Sequence, residues 1–367
     1  MLETSDTFGD LPAWGWDDGW ADAFAHLAEP GMWPGRVIAQ HRGAWIVKVP
    51  SGEATASPTG KLRRDADDSG YPTVGDWVVC LDTPHSNVAA IHATLPRRSA
   101  FRRKAAGSRP GAQTIAANVD TLFIATSLNH DLNTRRLERY VTMARESGAE
   151  PVLILTKADL VDDAQNRARQ LEAELHVSAL SISTRSGFGL DGVARWFARG
   201  KTLALVGSSG VGKSTLLNKL AGEQLMATRE IREDDGRGRH TTTHRALFLL
   251  ANGSLVLDTP GMREFGVWEA EEGVAETFDE IVELATDCRF NNCSHQSEPG
   301  CAVQVAVAEG RLDEARFKSY VGLADETAQQ AAMATVAARR AQARQWGKTI
   351  KKAGAGSVAR KHYDEQR

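Results

Sequence analysis

The segment ALVGSSGVGKST restricts the fold more than any other part of this 367-residue chain. It matches Gly-x4-Gly-Lys-[Ser/Thr] at Gly207, Gly212, Lys213 and Ser214, directly after the apolar run KTLALV and directly before the helical LLNKLAG. Strand, glycine-rich turn and helix in immediate succession build a parallel α/β sheet. They also aim backbone N–H groups at a phosphate chain at the helix N-terminus. Gly207, Ser208, Ser209, Gly210, Val211 and Gly212 form the predicted cradle, with Thr215 closing it at the first helical turn. The Lys213 ammonium is placed for the β- and γ-phosphates and the Ser214 hydroxyl for Mg²⁺.

Four further segments fit the same nucleotide. SLVLDTPG sets Asp258 at a strand end, where a carboxylate can hold Mg²⁺ through water, and Gly261 where an amide can sense the γ-phosphate. Between the phosphate loop and Asp258 lie Thr241, Thr242 and Thr243, one of which, written here as Thr242, is expected to close onto Mg²⁺. TKAD follows the strand PVLIL. Its Asp159 can accept both N1–H and N2–H of guanine, a pair adenine lacks, while Lys157 lies along the base. Thr156 opens this loop, and Ser183 and Thr184 in SISTRSGFGL suit a loop whose amide touches guanine O6. The competing reading of TKAD is a solvated polar loop.

The rest of the chain divides by pattern. Short strand-like runs, GRVIAQ, AWIVKV and DWVVCL, predict a small β-barrel. Before them Trp14, Trp16, Trp20 and Phe24 are spaced to line a short helix and read as packing residues with no function assigned. The basic, Gly/Pro-marked segment beginning at Arg97 reads as a flexible connection. The predicted organisation is an extension at 1–34, a barrel at 35–105, a nucleotide-binding α/β part at 114–268 and a helical part at 269–367 ending in a basic tail. A net charge of −3 excludes a uniformly basic nucleic-acid coat and leaves local patches, of which that tail is the strongest. The N-terminus lacks a signal-peptide pattern and no run is long enough for a membrane span, so a cytoplasmic protein without a membrane partner, and a monomer, is expected.

Cys288, Cys293, His295 and Cys301 form C-x4-C-x-H-x5-C, three thiolates and an imidazole able to surround one Zn²⁺ with no open position, hence a structural site. A catalytic zinc or unliganded buried thiols are the alternatives. Cys80, alone in DWVVCL, reads as a buried strand residue.

In ordinary GTPases the phosphate loop precedes the guanine loop, whereas here Thr156 to Asp159 come about fifty residues before Gly207. That permuted order, the GRGRHTTTHR segment, the leading barrel and the trailing Cys/His cluster resemble the ribosome small-subunit-dependent GTPase A family over nearly the whole chain. The resemblance implies an OB-fold barrel, a circularly permuted P-loop GTPase part and a helical zinc-binding part. It further implies slow GTP hydrolysis stimulated by the small ribosomal subunit, with ribosomal RNA, GTP and GDP as partners and a role in late maturation of that subunit. Thr156 departs from the family, where many members carry Asn, which implies a weaker hold on guanine.

Met262 occupies the position at which Ras-like enzymes orient water with Gln, and a thioether cannot do this. His240, beside the switch threonines, is the candidate catalytic group and matches the histidine proposed for that role in the family; a plain exposed loop histidine is the alternative. A signalling or scaffold GTPase without a ribosomal role competes with the assembly reading, because a GTPase fold does not name its partner.

Overall fold

The computed structural model describes residues 8–41, 43–65, 70–83, 87–104, 112–129, 131–208, 210–221, 245–258, 271–290, 292–296 and 298–328. Ser209, His240, Thr241, Thr242, Thr243, Gly261, Met262 and the basic tail lie outside them.

Five strands close the first barrel: β1 (Trp33–His41), β2 (Ala44–Val49), β3 (Gly52–Pro58), β4 (Trp77–Leu81) and β5 (Val88–Thr94). Their order is β1-β2-β3-β5-β4, and β4 returns to pair with β1 from Trp33↔Cys80 to Arg36↔Trp77. A bulge between Val37 and Ala39 turns the long β1, so that its first half serves β4 while its end reaches elsewhere. Gly35 permits the closure, since a Cβ there would sit 2.3 Å from Val47 Cγ1. Cys80 is fully buried in β4, as a lone strand cysteine should be.

Helix α1 (Asp18–Ala25) precedes the barrel, with Asp17 as its N-cap accepting from Trp20 N at 3.0 Å. Of the early aromatics only Trp20 and Phe24 therefore lie in α1, while Trp14 ends a 3-10 turn at Leu11–Trp14. Trp14 and Trp16 lie before α1, on either side of Gly15 in the left-handed region. The rings do pack: Leu11, Trp16, Trp20, Trp77, Val79 and Leu95 make one apolar cluster. Helix α2 (Gly60–Asp65) sits between β3 and β4.

Part of the segment expected to be a flexible connection is strand: β6 (Ala100–Lys104) pairs antiparallel with β7 (Ala112–Ala117), while Gly107, Pro110 and Gly111 lie outside the described residues. Phe101, Ile115 and Ala116 are buried in this pair.

The second sheet consists of β8 (Thr121–Ser127), β9 (Glu150–Thr156), β10 (Ser178–Ser181), β11 (Thr202–Val206), β12 (Arg245–Leu249) and β13 (Leu255–Asp258). Order β10-β9-β8-β11-β13 is parallel throughout, and β12 follows antiparallel to β13. Every residue of β8 is buried, the expected state of a strand covered on both faces. Helices α3 (Thr134–Ser147), α4 (Ala164–Leu175), α5 (Leu190–Ala194) and α6 (Lys213–Ala221) cover the sheet. Asn133 caps α3 at Arg136 N, and Gly148 at φ 81° ends it.

The two sheets are one. β12 pairs on its other side with the end of β1, Ala39↔Ala246 and Gln40↔Arg245, giving a continuous sheet of eleven strands. Arg36 fastens the same joint from inside: its guanidinium donates to the carbonyls of Trp14, Gly75 (3.3 Å) and Asn118 (3.2 Å) and to Thr202 Oγ1 (2.8 Å). Burial lowers the Arg36 pKa to about 10, against the opposing pull of Asp120 and Asp76, so it stays charged at neutral pH.

The C-terminal part holds α7 (Glu271–Thr277), α8 (Asp279–Ala285), α9 (Ala302–Ala308) and α10 (314–328) around its own apolar cluster of Phe278, Ile281, Val303, Ala306 and Leu323. It rests on α3. Gly273 N donates to Glu146 Oε2 at 3.2 Å, Thr142 Oγ1 to Thr277 Oγ1 at 3.1 Å and Arg316 to Glu138 at 3.1 Å. A Cβ on Gly273 would lie 2.5 Å from the Thr142 carbonyl oxygen, so this helix contact requires glycine.

Candidate nucleotide site and metal cluster

Three of the sequence segments leave the carboxyl ends of strands in the parallel sheet, the position at which open α/β sheets bind ligands. β11 runs into residues 207–212, β9 into Thr156–Asp159 and β10 into Ser183 and Thr184. The loop at 207 can turn because Gly207 (φ 137°), Gly210 (φ 78°) and Gly212 (φ 99°) take values an L side chain resists. Gly207 has a second reason: a Cβ there would stand 2.1 Å from the Ala125 carbonyl oxygen on β8. α6 begins at Lys213, whose Nζ donates to the loop's own carbonyls, Gly207 at 2.7 Å and Ser208 at 2.6 Å. The ammonium is thereby held over the loop. Ser214 and Thr215 are exposed in the first turn of α6, and Val211 is buried beneath.

Thr156 joins two of these loops. Its buried hydroxyl lies 2.5 Å from the Val211 carbonyl of the phosphate loop and 3.2 Å from the Thr126 carbonyl of β8. The hydroxyl standing where many family members carry Asn thus bridges to the loop at 207–212. Lys157 follows in the left-handed region at φ 59°, an uncommon state for lysine that turns the chain sharply, and Ala158 N bonds Ile182 O at 3.0 Å. Asp159 is exposed at this turn. A hydrogen bond from the Ser183 hydroxyl holds its carboxyl below the usual range, keeping it an acceptor. Ser183 is fully buried and Thr184 half-buried.

A cleft of about 580 Å³ opens beside Asp159, lined also by Ala158, Asp162, Arg169, Ser186 and Phe188. Phe188 and Arg169 did not emerge from the sequence; a phenylalanine 45% exposed between Gly187 and Gly189 is the signal that marks this wall. Asp258 is the last residue of β13, which neighbours β11 in the sheet.

Beside the apolar cluster of the C-terminal part, Cys288, Cys293, His295 and Cys301 bring one ligand atom each to within 4.8 Å of one another, a group that could hold a metal ion. Cys288 Sγ and Cys301 Sγ are 3.9 Å apart, and His295 Nδ1 lies 3.6 and 3.4 Å from them. Cys301 caps α9 at Gln304 N (3.4 Å), while Gln304 Nε2 donates to the His295 carbonyl at 2.6 Å and fixes its left-handed backbone. Burial lowers the His295 pKa, leaving the neutral imidazole a metal needs. Among the described residues no helix is long and apolar enough to cross a membrane.

Residues 94–268 match the RsgA GTPase family. The chain is 43% identical over 349 residues to the small ribosomal subunit biogenesis GTPase RsgA of Opitutus terrae, covering 92% of this chain and 95% of that protein. It is 47% identical over 304 residues to RsgA 2 of Lactiplantibacillus plantarum, covering 82% and 85%. Among solved structures, YjeQ from Thermotoga maritima matches with a TM-score of 0.57 and 26% identity, over 80% of this chain and 97% of that one. The circularly permuted GTPase YloQ matches at 0.56 and 25%, over 83% and 98%.

Proposed function

Because the chain belongs to the RsgA GTPase family, we propose that it hydrolyses GTP on the small ribosomal subunit and assists late maturation of that subunit, with turnover stimulated by the subunit itself. The observation that carries this reading is the Thr156 bridge, which ties the guanine-reading loop to the phosphate loop so that base and phosphates are held by one assembly. In it Asp159 and Lys157 read guanine, with Ser183 and Thr184 behind the O6 edge. Residues Gly207 to Thr215 wrap the phosphates, and Lys213 exchanges its two loop carbonyls for phosphate oxygens.

Ser214, Thr242 and Asp258 are the proposed Mg²⁺ residues, Gly261 the γ-phosphate sensor and His240 the group that orients the attacking water. Bound Mg²⁺ neutralises charge developing on the phosphates. Work is divided among a barrel at 35–105, a GTPase part at 114–268 and a zinc-binding part at 269–367, behind an extension at 1–34. Zinc suits the Cys/His cluster, because ligands about 2.0 to 2.3 Å from a tetrahedral ion lie roughly 3.4 to 3.8 Å from each other. The three separations among Cys288, His295 and Cys301 fall in that range or just above it, and Cys293 lies within 4.8 Å of each. Four protein ligands leave no open position, so the ion is structural. A monomer working in the cytoplasm completes the reading.

Steady-state hydrolysis of GTP and ATP, with and without small subunits, tests it. The expected result is a stimulated rate confined to GTP, and His240→Ala keeps GTP binding while losing the stimulated part. Subunit-independent rates would sink the ribosomal assignment, and an unchanged stimulated rate in H240A would remove His240 from the chemistry.

A further inference from the structure

Of the four residues in the Cys/His cluster, His295 alone has a left-handed backbone, at φ 59°. A residue with a Cβ takes that conformation only where its surroundings hold it there. Ser294 and Gln296, on either side, are exposed and belong to no helix or strand. What holds His295 is therefore a set of specific bonds.

Glu298 makes most of them. One of its carboxylate oxygens accepts from the Ser294 amide at 2.9 Å and from the Ser294 hydroxyl, and the other accepts from the Gln296 amide at 3.1 Å. A single carboxylate thus clasps both neighbours of His295. On α9, Gln304 Nε2 donates to the His295 carbonyl at 2.6 Å, and the Tyr320 ring stands 6.4 Å from the imidazole at a tilt of 49°. Nδ1 is left facing the sulfurs of Cys288 and Cys301 at 3.6 and 3.4 Å.

Glu298 contributes no ligand atom to the group of four. Its bonds run to the chain that carries the imidazole, and they bracket the single ligand whose backbone is strained. An ionised carboxylate suits that task. It accepts from several donors at once, and each bond is charge-assisted, about twice as strong as a neutral one.

We propose that Glu298 is the positioning residue of the metal centre: with Gln304 it presets His295, so the imidazole meets the metal already in place instead of being recruited by it. The inference deepens the reading of the cluster as a metal site and rests on it. Partners one step behind a metal's ligands are worth about ten- to hundredfold in metal affinity. Glu298 acts only through the ligand it places.

The test titrates Co²⁺, a spectroscopic substitute for Zn²⁺, into the full chain stripped of metal at the cluster and saturated with GDP and Mg²⁺. The parent is expected to bind one Co²⁺, with thiolate-to-cobalt absorption from three sulfurs. Glu298→Ala should bind it about ten- to hundredfold more weakly, and Glu298→Gln, whose amide oxygen keeps part of the clasp, should lose less. Glu298→Gln carries the comparison if Glu298→Ala does not fold. In a His295→Ala background, where water completes a three-thiolate site, Glu298→Ala should change the affinity by under about twofold. A carboxylate that merely stabilised the loop would weaken both backgrounds alike. Glu298 variants within about twofold of the parent, or losses that add in the double variant, overturn the inference and leave the metal site standing. A parent that binds no Co²⁺ overturns both.

Discussion

The barrel and the C-terminal helices are joined to the nucleotide-binding sheet in opposite ways. On the barrel side the joint is backbone: β1 pairs with β12, Arg36 reaches through to Thr202, and one apolar cluster runs from Val37 and Trp45 to Leu122 and Leu257. On the C-terminal side the contacts are mostly side chains laid on α3, and the core beneath them is separate. A shared ladder and a shared core make the barrel and the sheet one cooperative block. A separate small core, closed by a Cys/His cluster that could hold a metal ion, makes the C-terminal helices a block of their own.

Metal removal is the harshest way to break that comparison. Structural zinc contributes roughly 10 to 16 kcal/mol to small metal-dependent folds, so chelation should melt residues 271–328 while leaving GTP binding in place. Limited proteolysis with and without chelator reads this, and a single transition that takes the barrel along would contradict the division. Next in size is Arg36→Met, which takes a donor from four acceptors, three of them buried, and should cost about 3 to 5 kcal/mol. Denaturant unfolding of this variant should lose barrel and sheet signals together, whereas separate transitions would refute the common block.

Gly273→Val strikes the other joint. Its Cβ meets the Thr142 carbonyl, so α7 must move off α3 at about 1 to 3 kcal/mol, and amide exchange should accelerate in α7 and α10 with β8 and β11 unaffected. The smallest effect is a pH dependence. Burial raises the Glu138 pKa, more than its bonds from Ser319 and Arg316 lower it. The folded state therefore holds that proton more tightly than the unfolded state does, and stability falls as pH rises from the ordinary glutamate range through the raised value. Glu138→Gln should flatten the slope in that window, and a slope identical to the parent would assign it to other groups.

Much of the nucleotide site was legible because its signals are local. Strand, glycine turn and Lys-Ser lie within a dozen residues, and the thiol and imidazole spacing within fourteen. The joints were not legible, since backbone pairing such as Ala39↔Ala246 leaves no side-chain signature across two hundred residues. Arg36 is hidden for a similar reason: in GRVIAQ it alternates like a solvent-facing cation, and only the bulge after Val37 and the approach of Thr202 bury it. The tryptophan run misleads by its even spacing, because Gly15 and the Asp17 cap start the helix after two of the rings have passed. The Thr156 contact needs the third dimension too, as Val211 is 55 residues away.

The seam between β1 and β12 also removes hazards. An eleven-stranded sheet normally presents two rows of unpaired amides and carbonyls to other chains, each an invitation to polymerise. Here one end of the sheet curls into a closed barrel when β4 returns to β1, and β12 is occupied on both sides. Among the described residues the other border of this sheet is β10, four residues from Ser178 to Ser181, which is too short a template for stable strand addition.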